Sequence, residues 1–222
     1  MKKNFAIRHL IVLLFAAISV AGYADDYDSL DQAIESEIEG IDFSDLDQVD
    51  DEQRIIGNSV IDYEILAEFV RSHNAGFDSE IARHYIEVGR KYGLRGDIAF
   101  CQAILETGWF RFADGTAVRP SQHNYCGLGV IKRGQRGEKF PTIKKGVTAH
   151  IQHLYAYVTK ADLPKGETLL DPRFGLIKRG CASTWHELSN RWAMNPVYGK
   201  KILKIFNELK EFSQQYSPAT KQ

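Results

Sequence analysis

The run Ile98-Ala99-Phe100-Cys101-Gln102-Ala103-Ile104-Leu105 is apolar almost all the way round a helix, broken only by Gln102. A helix without a polar face must be buried by its neighbours, so this segment demands a fold that encloses it. Gly108 is a helix stop, which leaves Glu106 in the last turn as a lone carboxylate. There it faces the negative end of the helix dipole, at a cost of about 0.3–1 kcal/mol. One pKa unit is about 1.4 kcal/mol, so the dipole alone moves Glu106 by less than a unit. Desolvation by Leu105, Trp109 and Phe110 has to supply the rest. The expected product is a carboxylic acid that stays protonated near neutral pH and can donate its proton. The competing reading is a Glu that simply breaks the surface as its helix ends.

The surrounding blocks favour the first reading. Gln102-Ala103-Ile104-Leu105-Glu106-Thr107-Gly108-Trp109 resembles the catalytic-helix signature of the bacterial glucosaminidase family. His123-Asn124-Tyr125-Cys126-Gly127-Leu128-Gly129 is similar to that family's N-x-x-G-[IL] segment. Phe140-Pro141-Thr142-Ile143, followed by Gly146-Val147-Thr148-Ala149-His150-Ile151, continues the resemblance. Trp192-Ala193-Met194-Asn195-Pro196-Val197-Tyr198-Gly199-Lys200-Lys201-Ile202 is similar to its Y-A-x-[DN]-P-x-Y-x-x-K-I block. Four blocks in order weigh far more than one short motif. The resemblance implies a peptidoglycan-cleaving endo-β-N-acetylglucosaminidase. It also implies an α+β, mostly helical, lysozyme-like fold with one small β-hairpin lobe. Lysozyme's own acid, a glutamate against a tryptophan, follows the same logic as Glu106 beside Trp109.

Four regions are expected along the chain. Residues 1–24 read as a secretory signal peptide: Lys2, Lys3 and Arg8 precede an apolar run, Leu10 to Ala21, that is too short to span a bilayer. Small residues at Gly22 and Ala24 suit cleavage after Ala24, leaving no membrane segment in the mature chain. The expected location is therefore outside the cytoplasm: periplasm, cell wall or medium. Residues 25–56 form an acidic arm or linker, 57–215 the catalytic domain, and 216–222 a flexible tail. Between Asp25 and Glu52 stand 13 acidic residues and no Lys or Arg, whereas Gln53 to Gln222 carries 25 Lys plus Arg against 16 Asp plus Glu. An acidic block of this kind usually stays unfolded. Leu30, Ala33, Ile34, Ile38 and Ile41 nonetheless recur at helical spacing, so the arm could dock on the basic domain. A basic domain suits polyanionic wall polymers. Nucleic acid is not an expected partner, since no recognition motif is present and the leader argues against it.

Within the domain, Ile61, Ile65, Leu66 and Phe69 predict one amphipathic helix. Asp78 caps a second, with Ile81, Tyr85 and Val88 as its stripe and Gly93 as its stop. The catalytic helix runs from about Asp97 to Thr107. Tyr125 to Ile131 and Lys139 to Ile143 read as β-prone runs, with Lys132 to Gly137 as a hairpin tip. Further helices are expected over Lys145 to Thr159, Trp185 to Asn190 and Pro196 to Phe212. Three cysteines leave room for one disulfide, with Cys126 and Cys181 the expected pair.

Glycosidic hydrolysis needs a proton for the leaving oxygen and support for an oxocarbenium-like transition state. Glu106 is the expected acid. The resemblance implies a second acidic residue on the hairpin. Glu138 is the natural candidate, being the only acid between Asp114 and Asp162. An ordinary surface charge is its competing reading, Asp114 an outside alternative, and attack by the substrate's own N-acetyl oxygen a third arrangement. Asn124, Trp192, Tyr198 and Trp109 are the expected substrate-binding residues. Asn124 would bond an N-acetyl group, with a turn residue as the alternative. Trp192 stands where the family usually has Tyr, which keeps a ring face and loses a phenol. Tyr198 could equally be core packing, and Trp109 a wall of the acid's pocket. No cofactor or metal is expected: His150 and His153 lie three residues apart without a third ligand. A lytic transglycosylase and a non-catalytic wall-binding module are the competing functions.

Overall fold

Burial of the all-apolar helix organises the architecture. The computed structural model describes residues 53–113, 117–130 and 136–216, all within a compact unit running from Val49 to Gln222. Those residues carry five α-helices: α1 (Tyr63–Arg71), α2 (Ser79–Tyr92), α3 (Gly96–Thr107), α4 (Ile143–Val158) and α5 (Tyr198–Gln215). Single 3-10 turns stand at Pro120–Gln122, Phe174–Leu176 and His186–Leu188. Helix α3 is buried at every position from Gly96 to Ile104, and α1, α2 and α5 pack around it. Each of these partners offers one apolar stripe. That of α2 is Ile81, Tyr85, Val88 and Tyr92; that of α5 is Tyr198, Ile202, Phe206 and Leu209. A Cβ on Gly96 would stand 2.2 Å from the Tyr85 carbonyl oxygen, so α2 and α3 meet at backbone contact there.

Helix boundaries follow local chemistry. Asp78 accepts from the Glu80 N–H and caps α2, while Thr142 accepts from the Lys145 N–H and caps α4. Gly108, with φ 58°, ends α3 in the left-handed region, where a side chain would be strained. The stretch expected to be a helix over Trp185 to Asn190 holds only the short turn at His186–Leu188.

The packed domain reaches further back than the boundary expected at residue 57. Ile55 is fully buried, its N–H donates to the Ser183 carbonyl (3.0 Å), and its carbonyl accepts from the Arg95 N–H (2.9 Å). Gln53 accepts from the Trp185 N–H as well. The acidic context masks this single apolar anchor in the sequence. The leader and the rest of the arm, residues 1–52, lie outside the described residues, as do residues 217–222 of the tail.

The small hairpin is not seen. Residues 131–135, which include most of the expected tip at 132–137, lie outside the described residues, and the described part of the flanks carries no strand. One backbone bond, from the Glu138 N–H to the Leu128 carbonyl (2.8 Å), joins them. Asn124 replaces a ladder with side-chain bonds: its Nδ2 donates to the carbonyls of Leu128 (2.9 Å) and Glu138 (3.1 Å). All three cysteines are free, contrary to the expected Cys126–Cys181 pair; Cys126 is buried in the small apolar cluster with Leu128, Phe140 and Ala149. Among the described residues, no helix is long and apolar enough to cross a membrane.

Candidate active site

Glu106 emerges from the core at the last turn of α3, where Leu105 and Glu106 are the positions that lose the full cover of the preceding turns. Thr107 then closes the turn, its hydroxyl donating to the Ala103 carbonyl (2.7 Å) and accepting from the Phe110 N–H (2.9 Å). The carboxyl is raised above the ordinary carboxylate range, with desolvation the largest cause. Two residues oppose that shift. The Tyr198 hydroxyl donates to Glu106 Oε1, and the half-buried Trp192 also favours the charged form of the carboxyl. Apolar surroundings therefore favour the acid, while the two residues steady the carboxylate left once the proton has gone.

Tyr198 is delivered by a turn the sequence spells out. The Asn195 Oδ1 accepts from the Val197 N–H (3.0 Å), and Pro196 between them has no N–H to satisfy. Helix α5 starts at the next residue, which places Tyr198 in its first turn, buried against α3. Trp192 is half-buried, and its ring lies against His150, His153 and Tyr157. The phenol absent from position 192 is replaced by an indole that still favours the carboxylate form of the acid.

The remaining expected residues fall into different roles. Asn124 is fully buried, and its amide is saturated. Both N–H groups are engaged as described, and its Oδ1 accepts from the N–H groups of Cys126 (3.4 Å) and Leu128 (3.0 Å). No valence is left for an N-acetyl group, so the turn-building reading is the one the geometry supports. Trp109 stacks on His73 (ring centroids 3.6 Å apart, 11° between planes) and tilts against Phe69. Its ring is engaged in packing on α1, so one face is closed to a sugar. Glu138 is exposed, and its side chain lies over Gly129. Burial, Tyr198 and Trp192 are the influences acting on Glu106; Glu138 is not among them. Asp114 lies outside the described residues.

Three further residues stand behind Tyr198, and sequence reasoning gives them no place in the site. Gln102 Nε2 donates to the Tyr198 hydroxyl (2.8 Å), His150 Nε2 lies 3.0 Å from Gln102 Oε1, and Tyr85 bonds to His150 Nδ1 (2.6 Å). The sequence does carry a signal for Gln102: it is the one polar break in the apolar run Ile98–Leu105, four residues before Glu106 and hence on its face. His153 is held by Asp171 Oδ2 (2.7 Å). Among the described residues, no group of three His, Cys, Asp or Glu could hold a metal ion.

Burial pushes His150 down to about 3, well below the ordinary histidine value. The unfolded chain therefore binds a proton below about pH 6.5 that the folded chain refuses. Stability supplied by neutral His150 is complete above that pH and lost as pH falls towards 3, by about 1.4 kcal/mol per unit. Urea unfolding at pH 6.5 and 4.5 is expected to show a shallower acid loss in His150→Gln than in the parent. Parallel losses would show that His150 is not the neutral group.

Residues 82–211 match the glucosaminidase family model, described as mannosyl-glycoprotein endo-beta-N-acetylglucosaminidase. An uncharacterized protein of Borreliella burgdorferi is 39% identical over 133 residues, covering 60% of this chain and 63% of that protein. This chain thus spans less than two thirds of that relative. The catalytic domain of the autolysin Auto from Listeria monocytogenes aligns over 85% of this chain and 99% of its own, at 15% identity and a TM-score of 0.38.

Proposed function

The chain belongs to the glucosaminidase family, and from that premise we propose a lysozyme-like glycoside hydrolase that cleaves the β-1,4 bond after N-acetylglucosamine in peptidoglycan. The observation that carries this reading is Glu106: a carboxyl in the last turn of a buried helix, raised by desolvation and met by the Tyr198 hydroxyl. The reaction then starts with proton transfer from Glu106 to the leaving glycosidic oxygen. The resulting carboxylate is held by the Tyr198 hydroxyl and favoured by the Trp192 indole, ready to draw a proton from water in the next step. Glu138 is our candidate for the second carboxylate, standing on the segment that Asn124 and Gln122 fasten through its carbonyl. Participation of the substrate's N-acetyl oxygen is the alternative for that step. The basic leader residues and apolar run at residues 2–21 support export to the compartment where this substrate lies. The basic balance of residues 53–222 supports attraction to polyanionic wall material.

Mass analysis of the soluble fragments tests the reaction class. A hydrolase adds one water per cut, and such fragments are the expected product. Anhydro-sugar ends would establish a lytic transglycosylase instead. Undigested sacculi that retain the protein would establish a binding module.

A further inference from the structure

A line of buried hydrogen bonds runs back from Glu106, and its polarity can be worked out link by link. Tyr85, Gln102 and His150 are fully buried and Tyr198 nearly so. His150 is neutral, so one ring nitrogen carries a hydrogen and the other is bare. Gln102 Nε2 donates to the Tyr198 hydroxyl, which leaves Gln102 Oε1 facing His150 Nε2. An amide oxygen can only accept, so His150 Nε2 carries the hydrogen and Nδ1 is bare. Tyr85 must then donate to Nδ1. Tyr198, whose oxygen already accepts from Gln102, has one hydrogen, and it goes to Glu106 Oε1. Every donor points towards the acid.

We propose that Tyr85, His150 and Gln102 are positioning residues that hold the Tyr198 hydroxyl as a fixed donor to Glu106 Oε1 and so confine the acid proton to Oε2. The proposal rests on the reading of Glu106 as the general acid and adds to it a specific oxygen and a remote support. Turning the Gln102 amide over would present Oε1 to Tyr198 and draw its hydrogen away from Glu106. The opposite His150 tautomer would have to follow. The line therefore reads as one unit, coupled through polarisation of each bond by the next. The other titratable groups facing it are few. Cys126 is within electrostatic reach of Glu106, Tyr85 and Tyr198, and Tyr125 within reach of Tyr85. His153 acts on His150 and is itself bonded to Asp171.

Two measurements on the full chain test this without substrate. The first is nitrogen-15 NMR of the histidine rings in the unmodified protein. His150 is expected with hydrogen on Nε2 and a bare Nδ1; the opposite tautomer would reverse the line and overturn the proposal. The second is titration of the Glu106 carboxyl by carbon-13 NMR in folded variants, with melting curves as the folding check. Removing a donor to a carboxylate raises its pKa, so Tyr198→Phe is expected to shift the titration upward by about 0.5–1 pH unit. Gln102→Met and His150→Leu are expected to shift it upward by part of that amount. His150→Gln, which can return an N–H towards Gln102, is expected to restore the parent value. If Gln102→Met and His150→Leu titrate like the parent while Tyr198→Phe moves, support for the acid ends at Tyr198 and the proposal fails. The alkaline limb of kcat/KM is expected to move with the titration. Were the protein to show this tautomer and these shifts but cut no peptidoglycan, the proposed function would fall and the relay would stand.

Discussion

Glu106→Gln is expected to slow solubilisation of purified peptidoglycan by about 10²–10⁴-fold, the contribution of a positioned general acid. The substitution is nearly isosteric. Its amide oxygen can still accept from Tyr198, but no acidic proton remains for the leaving oxygen. The same change is expected to leave the melting temperature unchanged or to raise it. Desolvation, the largest influence on Glu106, marks a group whose charged form is uncomfortable where it sits. Sacculus turbidity and thermal melts on the same preparations check both halves. Retained lysis, or a rate loss that merely follows unfolding, would remove Glu106 from its role.

Asp97→Ala is expected to cost about 3–5 kcal/mol of folding stability, a large share of the roughly 5–15 kcal/mol typical of a domain. Asp97 is fully buried and receives Arg95 through both Nε and Nη2 at 2.9 Å. It also accepts from the N–H groups of Val60 (2.9 Å) and Ile98 (3.0 Å), tying the segment before α1 to the start of α3. Truncation leaves the Arg95 guanidinium buried without its partner, and two backbone donors without an acceptor. The Phe206 ring, 5.1 Å from the guanidinium carbon, does not replace a carboxylate. Urea unfolding at neutral pH measures the loss. A cost below about 1 kcal/mol would show that the pair contributes only in name.

The helices were legible because their signals are local. An apolar run without a polar face, the Asp78 cap and the Gly108 stop each act within a few residues, and α2, α3 and α4 lie close to where they were expected. What was less legible depends on partners far away in sequence. The β-prone runs around residues 125–143 carry no described strand, because Asn124 takes up the carbonyls and N–H groups that a ladder would use. Ile55 belongs to the core through contacts with residues 95 and 183, which an acidic neighbourhood gives no hint of. The site divides in the same way. Glu106 was read from its own helix, and Tyr198 and Trp192 from a block matched to the family. The line behind them joins residues 85, 102, 150 and 198, and its longest link spans 96 positions. A buried polar residue on an apolar helix is the trace that such a line leaves in a sequence, and Gln102 is that trace here.

The most direct test of the central claim is digestion of purified peptidoglycan by the parent protein beside Glu106→Gln, with borohydride reduction and mass spectrometry of the products. The account expects reduced N-acetylglucosamine ends with the parent and none with Glu106→Gln. Reduced N-acetylmuramic acid ends, or equal product from both proteins, would contradict it.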